Sequence, residues 1–250
     1  MKKPEDIKVL GIIPARGGST RIPRKNIKVV GGKPLICHSI ETAKKAKSID
    51  AFIVSTDDEE IAEIARKAGA DVPFLRPKHT ARKYSAEIEY QQHALKWLKK
   101  NRGWEPDLVV MIKPTSPLRT PEVIDEVVKM AKKNPQFTMV TTVSPPPFHP
   151  YRMSRRAKDG CLELIVPDMV KKEDYKVWGG YVPTQKLPEI YAHNTIVDLI
   201  RADCIEAGTE AVFKGPIGGV VTDPKLSADI DTEDDLEFVD LMLKAQKKKK

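Results

Sequence analysis

Between Arg16 and Lys28 the chain carries five cationic side chains, Arg16, Arg21, Arg24, Lys25 and Lys28, and not one acid. Ala15, Gly17 and Gly18 open this run directly after an apolar stretch, Val9 to Ile13, that reads as a strand. Glycine lets backbone N–H groups approach a ligand closely, and guanidinium and ammonium groups neutralise phosphate oxygens. The segment therefore has the chemistry of a polyanion site that a triphosphate would satisfy. Its place at the carboxyl end of a strand is where open α/β sheets bind ligands, and a solvated basic loop is the competing reading. The lysine of a P-loop and the third glycine of a dinucleotide fingerprint are both missing.

A second signal is Ser227-Ala228-Asp229-Ile230-Asp231-Thr232, which sets two carboxylates at i and i+2 just before an amphipathic stretch. In extended backbone both face one side. Hard oxygen donors so arranged suit Mg2+, which takes one or two carboxylates together with phosphate oxygens and water. Simple helix capping by Asp231 or Thr232, with Asp229 at the surface, competes with that reading. His38, His79, His93, His149 and His193 never pair at metal-binding spacing, and Cys37, Cys161 and Cys204 form no CxxC pair. The thiols are expected to be reduced, with Cys37 explained as well by packing as by reactivity.

Both motifs need a scaffold, and the apolar periodicity supplies one. Strand-like runs at Val9 to Ile13, Ala51 to Val54 and Leu108 to Ile112 alternate with helical patterns at Leu35 to Ala46, Glu59 to Ala68 and Glu122 to Ala131. This order predicts a parallel sheet covered by helices. Thr56 to Glu59 and Thr232 to Asp235 resemble capping boxes, and Thr120-Pro121 is a helix start. Further amphipathic helices are expected at Glu87 to Lys100 and Glu233 to Lys244. After Phe137 to Val143 the prolines 145–147 and 150 break the pattern. Residues 145–188 then read as an inserted arm with β-hairpins at Leu162 to Val166 and Val177 to Val182. Its aromatics Phe148, Tyr151, Trp178 and Tyr181 are expected to be buried in a homodimer, against a long loop folded on its own domain.

Composition removes other classes. The 250 residues carry a net charge of +8, but five lysines lie in the last seven positions, and without them +3 remains. With basic residues clustered in one loop and one tail, and aromatics at 6%, a specific nucleic-acid surface is not expected. No apolar run approaches the roughly 20 residues that cross a bilayer, and the N-terminal MKKPEDIK has no apolar signal core. A cytoplasmic protein without membrane contact is expected.

The motifs together resemble the acylneuraminate cytidylyltransferase (CMP-sialic acid synthetase) family. The likeness rests on IIPARGGSxRIPxKNI, Gly32 to Ile36, Ser55 to Ala62, Val72 to Pro77, Pro114 to Arg119 and Asp229 to Thr232, in family order along nearly the whole chain. It implies a three-layer α/β nucleotide-binding domain of the nucleotide-diphospho-sugar transferase type with a β-rich dimerisation arm. It also implies Mg2+-dependent transfer of CMP from CTP to the anomeric hydroxyl of a nine-carbon 2-keto sugar acid, with release of pyrophosphate. By this resemblance Arg16, Arg21 and Lys25 are catalytic, and Ala15, Gly17, Gly18, Asn26, Arg76 and Lys113 bind nucleotide. His193 and Asn194 bind sugar, and Asp229 and Asp231 bind metal. The chain departs from the family pattern at Lys83-Tyr84 in place of Asp-Thr, at Lys113 in place of Gln, and at Ala192 to Ile196 in place of Arg-x-Asn-Gly-Ala. These changes leave open a same-fold enzyme with another acceptor, such as a 3-deoxy-octulosonate, or another base. An inactive structural homologue or a nucleic-acid binding protein is the minor alternative.

Overall fold

The computed structural model describes residues 3–164, 185 and 187–247. By contact density the chain falls into two compact units, Met1–Val143 with Asn194–Lys250, and Ser144–His193. The first contains a six-stranded sheet. Its strands are β1 (Val9–Pro14), β4 (Ala51–Ser55), β5 (Leu108–Met111), β6 (Met139–Ser144), β9 (Ala192–Arg201) and β10 (Ile217–Val221), ordered β10-β6-β9-β5-β1-β4. A small ribbon of β2 (Val29–Val30) and β3 (Lys33–Pro34) stands apart. Strand β1 pairs in parallel with both β4 and β5, and β10 pairs in parallel with β6. Strand β9 breaks the direction, pairing antiparallel with β5 so that Met111 faces Asp198.

An unbroken apolar β1 is what a strand covered on both faces requires. Val9 and Ile13 pack beneath α1 (Leu35–Lys45), α2 (Glu59–Lys67) and α4 (Pro121–Lys133). Leu10 and Ile12 pack beneath α3 (Glu87–Arg102), α5 (Ala202–Ala207) and α6 (Thr209–Lys214). The result is three layers, helices on either side of a mostly parallel sheet. A third apolar cluster gathers Ile22, Leu118 and Ile230 with Val239 and Leu243 of α7 (Glu233–Lys247). It fastens the cationic loop, the turn after β5 and the Asp229–Asp231 segment to one helix. Each fully buried Ile or Leu contributes about 1.5–3 kcal/mol by leaving water.

Local chemistry sets the helix starts. At α2 the cap is Asp58, whose carboxylate accepts the Ile61 N–H at 3.0 Å. At α7 Thr232 and Asp235 bond reciprocally, the Asp235 N–H to Thr232 Oγ1 at 3.2 Å and the Thr232 N–H to Asp235 Oδ2 at 2.8 Å. Pro121 follows Thr120 as the first residue of α4. In the second unit β7 (Ser154–Arg156) and β8 (Leu162–Leu164) form an antiparallel pair. Phe148 there is 73% exposed. The expected strand at Val177 to Val182, with Trp178 and Tyr181, lies outside the described residues. No helix among the described residues is long and apolar enough to cross a membrane.

Thr195 of β9 has a φ of 49°, in the left-handed region that a β-branched residue resists. Such strain costs about 1–3 kcal/mol, and glycine relieves it at an entropic cost of about 0.5–1 kcal/mol. Thr195→Gly is therefore expected to raise stability by about 1 kcal/mol, a rise of roughly 2–4 °C in Tm. Calorimetry checks this, and a lowered Tm contradicts it.

Candidate active site

The carboxyl ends of β1 and β5 open into a cavity of about 610 Å3. One wall is the cationic loop, with Arg16, Arg21, Lys25 and Asn26; a second is the segment from Thr80 to Tyr90; a third is Lys113 to Thr115. All of these residues belong to the first unit.

The loop is shaped by contacts that use up part of its charge. Arg24, at a left-handed φ of 58°, pairs with Asp58 and Glu60 of α2, and Lys28 pairs with Glu233 of α7 at 3.1 Å. Hydrogen bonding to Arg24 holds the Asp58 carboxyl below its ordinary range. These two of the five cations are thus anchors, each neutralised by an acid more than thirty residues away, and three remain on the cavity. Ala15 and Gly17 also differ from expectation. The Ala15 N–H donates to the Ser55 carbonyl at 3.0 Å within the core, and the Gly17 N–H donates to Asp57 Oδ1 at 3.0 Å. Neither amide is turned to a phosphate. Gly17 is glycine because a Cβ there would stand 2.6 Å from Asp58 Oδ2. Gly18 is exposed, and a Cβ there would meet nothing within 4 Å, which leaves room for a ligand. Asn26 is buried, and its Nδ2 donates to the Arg16 carbonyl at 3.0 Å, so it braces the loop from within while forming part of the wall.

Arg16 reaches across the mouth, its Nη1 donating to the Arg82 carbonyl at 2.9 Å. Lys25 Nζ donates to the Ile230 carbonyl at 2.7 Å and lies 3.4 Å from Asp231 Oδ1; Arg21 pairs with Asp231 Oδ2 at 2.9 Å. The cationic loop and the Asp-x-Asp segment, 205 residues apart, therefore meet. Asp229 is exposed, Ile230 fully buried and Asp231 half-buried, as alternation about an anchored Ile230 demands. Among the described residues no three His, Cys, Asp or Glu side chains cluster to hold a metal.

Arg76 is buried, with Nε donating to Ser55 Oγ at 3.1 Å and Nη2 to the Ser55 carbonyl at 2.5 Å. Its guanidinium lies 4.6 Å from the centre of the Tyr90 ring, and burial lowers its pKa. Tyr90 is itself buried on the cavity wall, and desolvation raises its pKa. Lys113 Nζ is held by Glu87 at 2.9 Å and by the buried Asp198 at 3.6 Å. Burial alone would lower its pKa, but the two carboxylates outweigh it and the ammonium is stabilised. Thr141 Oγ1 fixes Asp198 with a 2.6 Å hydrogen bond. Neither Glu87 nor Asp198 stood out in the sequence, where one is a helix-face acid and the other interrupts a strand.

Two sequence candidates remain, Asn194 and His193. Asn194 Nδ2 donates to Thr222 Oγ1 at 2.9 Å and to Ser227 Oγ at 3.2 Å, and its Oδ1 accepts the Ile196 N–H at 3.4 Å. Its amide is engaged in bracing β9, and it does not line the cavity. His193 is exposed and belongs to the second unit.

Comparison with known proteins accords with this arrangement. A family model described as cytidylyltransferase matches residues 10–149. The chain is 34% identical to the CMP-N,N'-diacetyllegionaminic acid synthase of Legionella pneumophila, over 72% of this chain and 75% of that one. It is 33% identical to the pseudaminic acid cytidylyltransferase of Campylobacter jejuni, over 95% of this chain and 97% of that one. Among solved structures, CMP:2-keto-3-deoxy-manno-octonic acid synthetase complexed with CTP superposes with a TM-score of 0.67 at 16% identity, covering 96% of this chain and 99% of that one. A 4-diphosphocytidyl-2C-methyl-D-erythritol synthase from Anaerococcus prevotii gives 0.66 at 17% identity, covering 96% and 97%. The fold is thus shared with these two structures, and with the family match containing both the cationic loop and the turn after β5, the chain is a nucleotidyltransferase that belongs to the cytidylyltransferase family.

Proposed function

We propose that the protein transfers CMP from CTP to the anomeric hydroxyl of a nonulosonic acid, with Mg2+ and with release of pyrophosphate. The observation that carries the reading is the meeting of Arg21 and Lys25 with Asp231 beside a cavity that Arg16, Arg21 and Lys25 all line. The acceptor hydroxyl oxygen attacks the α-phosphorus, the bond from that phosphorus to the pyrophosphate oxygen breaks, and the hydroxyl proton passes to water. Arg16, Arg21 and Lys25 hold the triphosphate and neutralise charge that grows on its oxygens, which is what phosphoryl transfer asks of a protein. Arg76, fixed by Ser55 and stacked on Tyr90, flanks the base.

The carboxylates fit the metal. Asp229 and Asp231 offer hard oxygen donors at i and i+2, and a site of one or two carboxylates completed by phosphate and water is what Mg2+ prefers. Bound there, the ion would supply Lewis-acid stabilisation of phosphate charge.

The third wall supports a reading of the acceptor. Ala192 offers no guanidinium to a sugar carboxylate, whereas Lys113 on the cavity wall carries an ammonium. A legionaminate- or pseudaminate-type acid is favoured over N-acetylneuraminate, in keeping with the names of the two relatives above. A pyrophosphate-release assay over four nucleoside triphosphates and a panel of keto sugar acids tests the whole reading. CTP with one of these nonulosonates is expected to give the highest kcat/KM. Equal or better use of N-acetylneuraminate refutes the acceptor assignment, and no release with CTP refutes the activity. A homodimer is part of the same proposal, supported by the exposed Phe148 of the second unit. Light scattering at micromolar concentration is expected to give twice the chain mass, and a monomer refutes it.

A further inference from the structure

A buried cation with no carboxylate against it is unfavourable by several kcal/mol, and Arg119 is such a cation. It is 4% exposed, forms no ion pair among the described residues, and its Nε has no hydrogen-bond partner. Its other donors turn back on the turn that carries it. Nη2 donates to the Lys113 carbonyl at 2.5 Å, to the Ser116 carbonyl at 3.2 Å and to Ser39 Oγ at 3.3 Å; Nη1 donates to the Lys113 carbonyl at 3.3 Å. Ser39 Oγ closes the clamp by donating to the same Lys113 carbonyl at 3.3 Å.

The turn so closed has two edges. On one, Lys113, Pro114 and Thr115 form the third wall of the cavity. On the other, the Thr115 carbonyl accepts the Ile230 N–H at 2.9 Å, and Ile230 stands between Asp229 and Asp231 while its own carbonyl receives Lys25. The two carboxylates whose field favours the Arg119 charge, Asp198 and Asp229, belong one to each edge. The guanidinium thus lies beneath a single piece of structure that ends at Lys113 and at the carboxylate pair.

We propose that Arg119 is a positioning residue for the transfer step, holding the Lys113–Thr115 wall and the Asp229–Asp231 segment in one register without touching either substrate. This rests on the reading of the cavity as a site for CTP and an acceptor. Displacement of reacting groups by about 1 Å costs on the order of a hundredfold in rate, so a loosened clamp is read in kcat. Of the three cations on the triphosphate, Arg16 is held separately by Arg82 and Asn26, so KM for CTP is expected to change less than kcat.

The test compares wild type, Arg119→Lys and Ser39→Ala in steady-state kinetics, Tm, and calorimetric CTP binding with and without Mg2+. Arg119→Lys keeps the charge and loses the fork; kcat is expected to fall about tenfold or more with KM for CTP within about threefold, and the gain in CTP affinity on adding Mg2+ to shrink. Ser39→Ala leaves Arg119 in place and removes the bridging hydroxyl, and a fall of about threefold in kcat is expected. A residue serving only the fold would lower Tm and leave kcat and the Mg2+ response of the folded protein unchanged. That result in both variants overturns the proposal, and if Arg119→Lys does not fold, Ser39→Ala alone decides it. Absence of CTP turnover in wild type would instead strike the functional reading.

Discussion

Lys25→Ala is expected to lower kcat/KM for CTP by about 2–4 kcal/mol, roughly thirty- to a thousandfold, with little change in Tm. Lys25 is a largely buried ammonium whose nearest partners are the Ile230 carbonyl at 2.7 Å and Asp231 at 3.4 Å. Removing it takes away a cation on the cavity and one of the two bonds that locate Ile230. The control is Lys28→Ala in the same loop. Lys28 is paired with Glu233 outside the cavity, an exposed pair worth at most about 1 kcal/mol, so near-normal kinetics are expected. Equal losses in the two variants would show that the loop acts only through its net charge, and normal kinetics in Lys25→Ala would remove it from the catalytic set.

The second large effect is expected at Asp231. Asp231→Asn keeps the shape and removes the charge that Arg21 and Lys25 share, and kcat at limiting Mg2+ is expected to fall by about 3 kcal/mol, on the order of a hundredfold. Because both ion pairs are partly exposed, little stability is at stake. The measurement is kcat at saturating CTP across a Mg2+ titration. A variant that keeps the wild-type rate at low Mg2+ shows that Asp231 does not serve the metal.

The sequence made legible whatever is decided locally. The strands β1, β4 and β5 could be read because a doubly covered strand must be apolar throughout, and α2, α4 and α7 because Asp58, Pro121 and the Thr232–Asp235 pair mark their starts. Strand β9 escaped because Asp198, His193 and Asn194 interrupt its alternation, and the reason Asp198 is tolerated is Lys113, 85 residues away. The same limit applies within the site. A run of five cations looks uniform in sequence, yet partners on α2 and α7 divide it into anchors and cavity groups. The amide of Gly17 looked free because its acceptor, Asp57, sits on the loop after another strand. Arg119 looked like one more residue of the Pro114 to Arg119 motif, since nothing local says that a guanidinium will be buried.

The contact between Lys25 and Ile230 has a bearing on how the protein is made. The ribosome emits the chain from the N-terminus, and the sheet through β9 is complete in sequence by Arg201, so most of the α/β body can begin to collapse while residues beyond remain in the exit tunnel. Arg24 can meet Asp58 and Glu60 early, but Arg21 and Lys25 cannot meet Asp231 until about two hundred further residues have been translated. During that interval Ile22 and Leu118 lack Ile230 and α7, the elements that cover them, and the nascent protein presents both the unpaired charges of Arg21 and Lys25 and an open apolar seam. Nascent chains halted before residue 229 are thus the form in which a chaperone or a free polyphosphate would find the loop unguarded.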